Sequence, residues 1–181
     1  QTHWAPMPFD DVVTVVREDL GARAGELLDA MERSPVAAAS IGQVHRAELG
    51  GRRYAVKVRY PRIVEALTND FRSASLGVRL VPLLYPGAYP RGMIAEVRDR
   101  LLEECDYLHE AASAERFAAD FADDDRVSAP ALVWERTTRR VLTMQDVTAI
   151  KINDVDGLRA AGIDPMEVAN EFAAVMFDQL F

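Results

Sequence analysis

Two alternating segments joined by a pair of glycines are the feature that most restricts how this chain can fold. Residues 43–49 and 53–58 alternate apolar and polar side chains, which is the spacing of strands that bury one face. Gly50 and Gly51 lie between them, and a tight hairpin turn needs residues that adopt positive φ, as glycine does readily. The sequence therefore predicts an antiparallel hairpin in this region.

Helical periodicity surrounds the hairpin on both sides. Apolar residues recur every three or four positions in four further regions, residues 9–31, 62–84, 93–121 and 164–180. Asp10 is expected to cap the first helix and Gly21 to end it, with a short second helix following. Asp164 and Pro165 are the residue types preferred at the N-cap and first position of the last helix.

A second pair of apolar, β-branched segments covers residues 127–134 and 140–144. The polar residues 135–138 between them predict a second hairpin. A loop rich in proline and glycine is expected over residues 82–92. Strands and helices thus form separate runs along the chain, which is typical of an α+β protein with an antiparallel sheet and packed helices.

Charge and cysteine content exclude several kinds of protein. The 181 residues include 29 Asp and Glu against 21 Lys and Arg, a net charge of −8, so no nucleic acid partner is expected. The single cysteine, Cys105, excludes an internal disulfide framework and a zinc site of several cysteines. It favours a reducing compartment, and we expect a cytoplasmic location. No apolar run approaches the roughly 20 residues that span a bilayer.

Both ends of the sequence suggest that it was cut from a longer chain. The chain starts at Gln1 without a basic and then apolar signal segment, and it stops at Phe181 inside an apolar helical pattern. The sequence is therefore expected to be an excerpt of a longer protein. Any membrane association is expected to come through regions outside it.

Small residues ahead of the hairpin have the spacing of a loop that covers phosphates. The kinase pattern G-x-G-x-x-G-x-V falls on Ala37, Ala39, Gly42 and Val44, with alanine in place of two glycines. Lys57 follows Val44 by thirteen residues, in a segment like the strand whose lysine pairs with the α- and β-phosphates. Alanine is expected to stiffen the loop, because it reaches positive φ only at a cost of about 1 kcal/mol.

Such a lysine needs an acidic partner on a helix packed over the sheet. The predicted helix over residues 93–121 offers four carboxylates, Glu103, Glu104, Asp106 and Glu110. In one continuous helix, Glu104 and Glu110 are separated by about 600° around the axis, so only one of them can face the same lysine. Taken alone, Glu104 and Asp106 are typical of an ordinary solvated helix face.

Together these residues resemble the ABC1/UbiB/ADCK (AarF-type) family of atypical kinases. The resemblance is carried by residues 35–45, 56–58, 60–61, 104–107 and 110–111. Thr138 and residues 141–144 resemble the strand that leads into the hinge of that family. The matching motifs follow in order from about Phe9 to Phe181.

The resemblance implies a protein-kinase-like N-terminal lobe that binds ATP with Mg²⁺. It divides the chain into an N-terminal helical extension (1–33), the kinase-like lobe (34–146), and the hinge with the first helix of the C-terminal lobe (147–181). It also implies that the parent protein is an atypical kinase or ATPase linked to isoprenoid quinone or lipid metabolism at a membrane surface.

Individual site residues are implied by the same resemblance. Lys57 would be the nucleotide lysine, and Glu110 its partner on the helix. Glu104 and Asp106 match a regulatory ExD motif, which in the family engages a lysine of an N-terminal KxGQ motif. The residues expected to contact nucleotide are Ala37, Ala38, Ala39, Ser40, Val44, Ala55, Met144 and Gln145.

The chain also departs from the family pattern. It has no KxGQ motif, no catalytic-loop aspartate with its downstream asparagine, and no D-F-G metal aspartate. The family places the two aspartates after Phe181, so no metal ligand is expected here and the excerpt alone should be inactive. Gln145 stands where an acidic hinge residue is usual. Two alternatives stay open: a small-molecule phosphotransferase of kinase-like fold, and a non-catalytic pseudokinase scaffold.

Overall fold

The computed structural model describes residues 6–78, 90–147 and 149–179. Within these ranges lie four strands, β1 (Ala37–Ala38), β2 (Gly42–Leu49), β3 (Arg52–Arg59) and β4 (Val141–Gln145). The α-helices are α1 (Phe9–Leu20), α2 (Ala24–Ala30), α3 (Ile63–Val78), α4 (Pro90–Glu104), α5 (Tyr107–Asp120), α6 (Val155–Ala160) and α7 (Pro165–Asp178). Short 3₁₀ turns occupy Gly21–Arg23 and Trp134–Arg136.

The strands form one antiparallel sheet in the order β1-β2-β3-β4. The predicted hairpin is confirmed, with a continuous register from Gly42 opposite Arg59 to Leu49 opposite Arg52. Gly50 and Gly51 have φ values of 58° and 73°, the left-handed conformation that a two-residue hairpin turn demands. The sheet and its packed helices confirm the predicted α+β class.

The two faces of the sheet bury different clusters of side chains. One face packs on α1 and α2, and its core includes Val12, Val16, Leu20, Leu27, Val56, Val58 and Val141. The other face packs on the start of α5, and its core includes Ile41, Cys105, Tyr107, Ala111 and Leu142. Because strand residues alternate between faces, Lys57 lies on the second face, between the buried Val56 and Val58 of the first.

A buried polar network holds the start of the chain against β2. The Gln43 side chain accepts a hydrogen bond from the Met7 N–H (2.9 Å) and donates one to the Met7 carbonyl (3.2 Å). Its amide nitrogen also lies 2.9 Å from Nε2 of His45, whose Nδ1 lies 2.8 Å from the Glu32 carbonyl. Burial lowers the pKa of His45, so a neutral ring that donates from Nδ1 and accepts at Nε2 satisfies both contacts.

Ion pairs fasten α1 to the segment that leads into β4. The Asp19 carboxylate accepts hydrogen bonds from Thr138 Oγ1 (2.6 Å) and from Nε (2.9 Å) and Nη2 of Arg140. Glu18 adds a second carboxylate 3.0 Å from Nη1 of Arg140. Asp19 has a side chain only 13% exposed, so its charge depends on these partners for stabilisation.

Replacing Asp19 with asparagine is expected to lower the free energy of unfolding at pH 7 by roughly 1–3 kcal/mol. Burial raises the pKa of Asp19, but hydrogen bonds from Arg140 and Thr138 outweigh burial and hold the pKa below its ordinary value. A lowered folded pKa means that the carboxylate stabilises the fold fully above the unfolded pKa of about 3.8. That contribution is lost as the pH falls through the folded pKa.

Denaturant unfolding of the wild type and Asp19→Asn at pH 7, 5 and 3 checks this dependence. The stability gap should be present at pH 7 and 5 and should shrink at pH 3. Asp29→Asn, at an exposed position of α2, is the control and should change stability by less than about 0.5 kcal/mol. A gap at Asp19 that stays constant down to pH 3 would contradict the assignment.

Several sequence predictions about element limits are wrong. Asp10 is not the N-cap: α1 begins at Phe9 after Pro8, whose carbonyl accepts the Asp11 N–H (3.0 Å), and Asp10 lies in the first turn. Pro90 starts α4 although the predicted loop included it, because proline suits a first helical turn. Residues 79–89, with most of that loop and the end of the predicted helix over 62–84, lie outside the described residues.

The second predicted hairpin forms only in part. β4 pairs with β3, from Tyr54 opposite Gln145 to Val58 opposite Val141. Residues 127–130 form no strand, and Trp134–Arg136 is a 3₁₀ turn; the segment retains one isolated bridge, between Leu132 and Met144. β4 pairs with β3 along one edge; along its other edge the Thr143 carbonyl accepts the Val133 N–H (2.9 Å) and the Gln145 N–H donates to the Ala131 carbonyl (2.8 Å).

The chain divides into two compact units, which we describe separately. The first unit comprises Gln1–Glu115 and Ala131–Asp146, and therefore holds the sheet, α1 and α2. The second comprises Arg116–Pro130 and Val147–Phe181. In it, Asp164 caps α7 through a hydrogen bond from the Met166 N–H (2.9 Å), which confirms the predicted N-cap. The domain limits 1–33, 34–146 and 147–181 stay predictions.

Candidate functional site

An ion pair between Lys57 and Glu110 is the centre of the candidate site. Nζ of Lys57 lies 2.6 Å from Oε1 and 2.8 Å from Oε2 of Glu110, so the ammonium donates to both carboxylate oxygens. The Lys57 side chain is 21% exposed and that of Glu110 is 42% exposed. The sheet register sets Lys57 opposite Val44 on β2 and Leu142 on β4. The acidic partner expected from the sequence is thus the one that the fold brings to the lysine.

Tyr107 adds a second contact to the same lysine, which the sequence analysis missed. The Lys57 ammonium lies 5.1 Å from the centroid of the Tyr107 ring, within the range of a cation–π interaction. The ring is fully buried in the second-face core. Burial, with the negative charge of Glu110 adding to it, raises the pKa of Tyr107, so the phenol stays neutral. In the sequence, Tyr107 directly follows Asp106 of the ExD motif, and this position could have indicated that Tyr107 belongs to the site.

The small-residue segment forms the bend of a short hairpin beside Lys57. Ala37 and Ala38 pair with Val44 and Gln43 of β2, and the Ala39 N–H donates to the Gly42 carbonyl at 2.9 Å. Among the described residues, positive φ occurs only at glycines. The expected strain of alanine at positive φ therefore does not arise. The pairing of Ala37 and Ala38 with β2 and the hydrogen bond from Ala39 to Gly42 restrain the loop instead.

Gly42 is needed at the end of this bend because two groups approach it closely. A Cβ atom at position 42 would lie 2.4 Å from the Val58 carbonyl oxygen and 2.7 Å from the Tyr107 hydroxyl oxygen. Both distances are far inside van der Waals contact. The third glycine of the kinase-like pattern thus serves close packing between β2, β3 and α5.

The predicted continuous helix over 93–121 is broken, which is a correction to the sequence analysis. α4 ends at Glu104, and the Cys105 and Asp106 amides bond back to Leu102 (3.1 Å) and Glu103 (3.0 Å), the tighter pattern of a helix end. Asp106 Oδ1 then accepts the Leu108 N–H at 3.0 Å and caps α5. Aspartate is a preferred N-cap residue, and that signal was overlooked.

The break changes the position of each member of the ExD motif. Glu104 ends one helix and Asp106 precedes the next, so the angle between Glu104 and Glu110 in a single helix does not apply. Asp106 Oδ2 also lies 3.5 Å from Nε of Arg139. Cys105, between the two, is buried as a small apolar side chain, and burial raises the pKa of its thiol. The regulatory role predicted for Glu104 and Asp106 stays a prediction.

A cavity of about 360 Å³ lies between the bend and the start of α5. Residues on both sides line it, among them Ala39, Ser40, Ile41, Lys57, Glu104 and Glu110. Its wall carries four carboxylates (Glu103, Glu104, Asp106 and Glu110) and two cations (Lys57 and Arg100). The cavity can therefore admit an anionic group at Lys57, but it is acidic overall.

The residues predicted to contact adenine share the face that carries Lys57. Val44 is paired with Lys57, and Ala55 with Met144, so the register sets all four on one side of the sheet. Val44, Ala55 and Met144 do not line the cavity beside Lys57. At the end of β4, the Gln145 N–H already donates to the Ala131 carbonyl (2.8 Å). The structure thus brings Lys57 and Glu110 next to the hairpin bend at residues 37–42, which we call the alanine bend. The residues predicted to contact adenine lie on the same face of the sheet.

The comparison with known families decides what kind of protein this is. The model of the ABC1 atypical kinase-like domain matches residues 1–181, the whole sequence. The chain belongs to the ABC1 atypical kinase-like family. The resemblance recognised from the alanine bend, the lysine strand and the ExD segment is thereby confirmed.

Curated relatives and a solved structure support this membership. The chain is 36% identical over 165 residues to Protein ACTIVITY OF BC1 COMPLEX KINASE 8, chloroplastic, of Arabidopsis thaliana, covering 88% of this chain and 22% of that protein. It is 31% identical over 175 residues to AarF domain-containing protein kinase 1 of Xenopus laevis, covering 96% and 34%. The chain thus spans about a fifth to a third of the length of these relatives.

The complex structure of Rv3197 with erythromycin, from Mycobacterium tuberculosis, shares the fold. It aligns with a TM-score of 0.73 at 33% sequence identity, over 83% of this chain and 38% of that one. The ABC1 chain is therefore an α+β protein of the kinase-like class. In the described ranges, no helix has both the length and the apolar character required to cross a bilayer.

Proposed function

We propose that this chain is the ATP-binding portion of an ABC1-type atypical kinase or ATPase. The observation that carries the proposal is the Lys57 ammonium, bonded to both oxygens of Glu110 beside the alanine bend. A strand lysine fixed by a helix carboxylate is the arrangement with which kinases neutralise the α- and β-phosphates. The family supports this function, since its model describes an atypical kinase-like domain.

The proposal gives each part of the site a role. Lys57 would bind phosphate oxygens as a compact cation. Glu110 keeps the ammonium aimed at the cavity, and residues 37–40 close over the phosphates. Val44, Ala55 and Met144 would form the apolar floor for adenine, and backbone groups near Gln145 would contact its edge.

The acidity of the cavity supports a requirement for Mg²⁺. With four carboxylates against two cations, a triphosphate without metal would meet repulsion from the wall. The family resemblance places the metal-binding aspartate after Phe181, outside this sequence. The described residues contain no ready-made cluster of three metal-ligating side chains, so phosphate oxygens would have to complete the shell. Bound Mg²⁺ would neutralise phosphate charge.

Covalent labelling by an acyl-phosphate derivative of ATP tests the proposal directly. This probe acylates a lysine that lies against the bound phosphates and releases the nucleotide. Lys57 and Lys151 are the two lysines of the sequence, so Lys151, in the second unit, is an internal control. In the full-length protein we expect Lys57 to be labelled at least about tenfold faster than Lys151. Excess Mg-ATP should suppress the labelling of Lys57 alone.

The outcome is read by mass spectrometry of the two lysine peptides, with and without EDTA. Chelation of Mg²⁺ should reduce the labelling of Lys57 and leave that of Lys151 unchanged. Equal labelling of both lysines, or labelling of Lys57 that Mg-ATP does not suppress, would refute nucleotide binding at this site.

We also propose that the full-length protein acts in isoprenoid quinone or lipid metabolism, with a membrane surface and a lipid precursor as its partners and a cytoplasmic location for this domain. Family membership supports this part of the proposal. A deletion strain of the source organism should lose isoprenoid quinone, and the wild-type gene should restore it while Lys57→Ala should not. A deletion strain with a normal quinone and lipid content would contradict it.

A further inference from the structure

We propose that Tyr107 is a positioning residue of the nucleotide site, because its buried ring holds the Lys57 ammonium and its hydroxyl end is packed against Gly42 at the base of the alanine bend. The inference rests on the proposed function, since it assigns Tyr107 a share in aligning Lys57 for phosphate. Tyr107 contacts both Lys57 and the alanine bend, so the position of this one side chain affects the distance between them.

The contact between Tyr107 and Lys57 is electrostatic, and the buried ring has little room to move. The ammonium lies 5.1 Å from the ring centroid, and the ring is 0% exposed within the second-face core. A cation over an aromatic face is worth more when water is excluded, and Lys57 itself is 21% exposed. The Lys57 ammonium therefore contacts both Glu110 and Tyr107.

The hydroxyl end of Tyr107 packs against Gly42, at the end of the alanine bend. Its oxygen would lie 2.7 Å from a Cβ atom at position 42, which means that the phenol fills the space that glycine leaves open. In the described structure this buried oxygen has no hydrogen-bond partner, so its contribution there is packing. A shift of the ring would therefore move the bend and release the lysine together.

The cap at Asp106 explains why one residue can make both contacts. Asp106 starts α5 and fixes Tyr107 at its first position, while Glu110 follows three residues later on the same turn. Residues three apart on a helix lie on neighbouring parts of one face. Both tethers of Lys57 thus come from one rigid helix start, although the sequence separates Lys57 from Tyr107 by fifty residues.

Stepwise fluorination of the ring separates the electrostatic role from packing. In the full-length protein, residue 107 is replaced with phenylalanine and with mono-, di- and trifluorophenylalanine, which change volume little but remove the negative potential of the ring face. Calorimetric titration with Mg-ATP then measures the dissociation constant. Tyr107→Phe should stay within about threefold of the wild type. The constant should then rise with each fluorine, by about three- to thirtyfold in total.

A matched series at Phe9 provides the control. Phe9 also carries a cation over its ring, since the Arg33 guanidinium lies 5.2 Å from its centroid, but it belongs to α1 on the other face of the sheet. Fluorination of Phe9 should leave the dissociation constant for Mg-ATP unchanged. The Phe9 series therefore tests whether fluorination of an aromatic ring away from Lys57 affects Mg-ATP binding.

The possible results distinguish this inference from the proposed function. If the wild type binds Mg-ATP and the fluorine series at 107 is flat, Tyr107 has no positioning role while the proposed function stands. If the wild type does not bind Mg-ATP, both fail. Thermal unfolding of every variant accompanies the titration, and Tyr107→Leu gives a second comparison: it should weaken binding where Tyr107→Phe does not. Equal binding by both would overturn the inference.

Discussion

Replacing Lys57 with alanine is expected to weaken Mg-ATP binding by the full-length protein about ten- to a hundredfold. The substitution removes charge-assisted contacts to phosphate, each worth roughly 1.5–3 kcal/mol. It also leaves Glu110 as a further uncompensated carboxylate in a cavity that is already acidic. Calorimetric titration, or the thermal shift produced by saturating Mg-ATP, measures the loss.

Two further variants sharpen this result. Lys151→Ala removes the other lysine of the sequence, at an exposed position of the second unit, and should bind Mg-ATP as the wild type does. Glu110→Gln keeps the volume of the side chain but removes its charge, so Lys57 is retained and less well held. Its effect should lie between those of the wild type and Lys57→Ala. Unchanged affinity in Lys57→Ala would remove the basis of the proposed function.

Gly42→Ala is expected to lower the free energy of unfolding by roughly 1–3 kcal/mol, the usual cost of overpacking a tight site. The added methyl group would meet the Val58 carbonyl oxygen at 2.4 Å, and Val58 is paired with both Gln43 of β2 and Val141 of β4, so its backbone has little room to move aside. It would also meet the Tyr107 hydroxyl at 2.7 Å. Chemical denaturation of wild type and variant measures the difference.

The helical Gly25 supplies the matched control for this prediction. No heavy atom lies within 4 Å of a Cβ atom at position 25, and its φ is not in the positive range. Gly25→Ala should leave stability unchanged or raise it by up to about 1 kcal/mol, since alanine loses less backbone entropy in a helix. In Gly42→Ala, adding Tyr107→Phe should restore only part of the loss, because the Val58 clash remains. Full stability of Gly42→Ala would contradict the packing described.

Nucleotide binding does not by itself imply catalysis, so turnover has to be measured separately on the full-length protein. Turnover of Mg-ATP that disappears in Lys57→Ala would support an atypical kinase or ATPase. Labelling of Lys57 without turnover would favour the pseudokinase alternative. Turnover that depends on a small phosphate acceptor would favour the small-molecule phosphotransferase.

Local chemistry was readable from the sequence. The glycine pair demanded positive φ and therefore a tight hairpin turn, and Asp164 with Pro165 satisfied the unpaired amides of a helix start. Lys57 and Glu110 were paired on motif spacing and family resemblance, and the structure brings their charged atoms to 2.6 Å. The hairpin turn and the helix cap depend on residues near one another in sequence, whereas Glu110 was assigned through the family resemblance.

Only the tertiary structure decided what depends on partners distant in the chain. β4 pairs with β3 along one edge over five residues, whereas only residues 131–133 of the preceding predicted strand pair with its other edge. The helix break at Cys105 and Asp106 let α5 aim Tyr107 and Glu110 at one lysine, about fifty residues earlier. Periodicity indicates which side of a helix or strand is apolar. Which other element covers that apolar side depends on the free energy of packing across the whole fold.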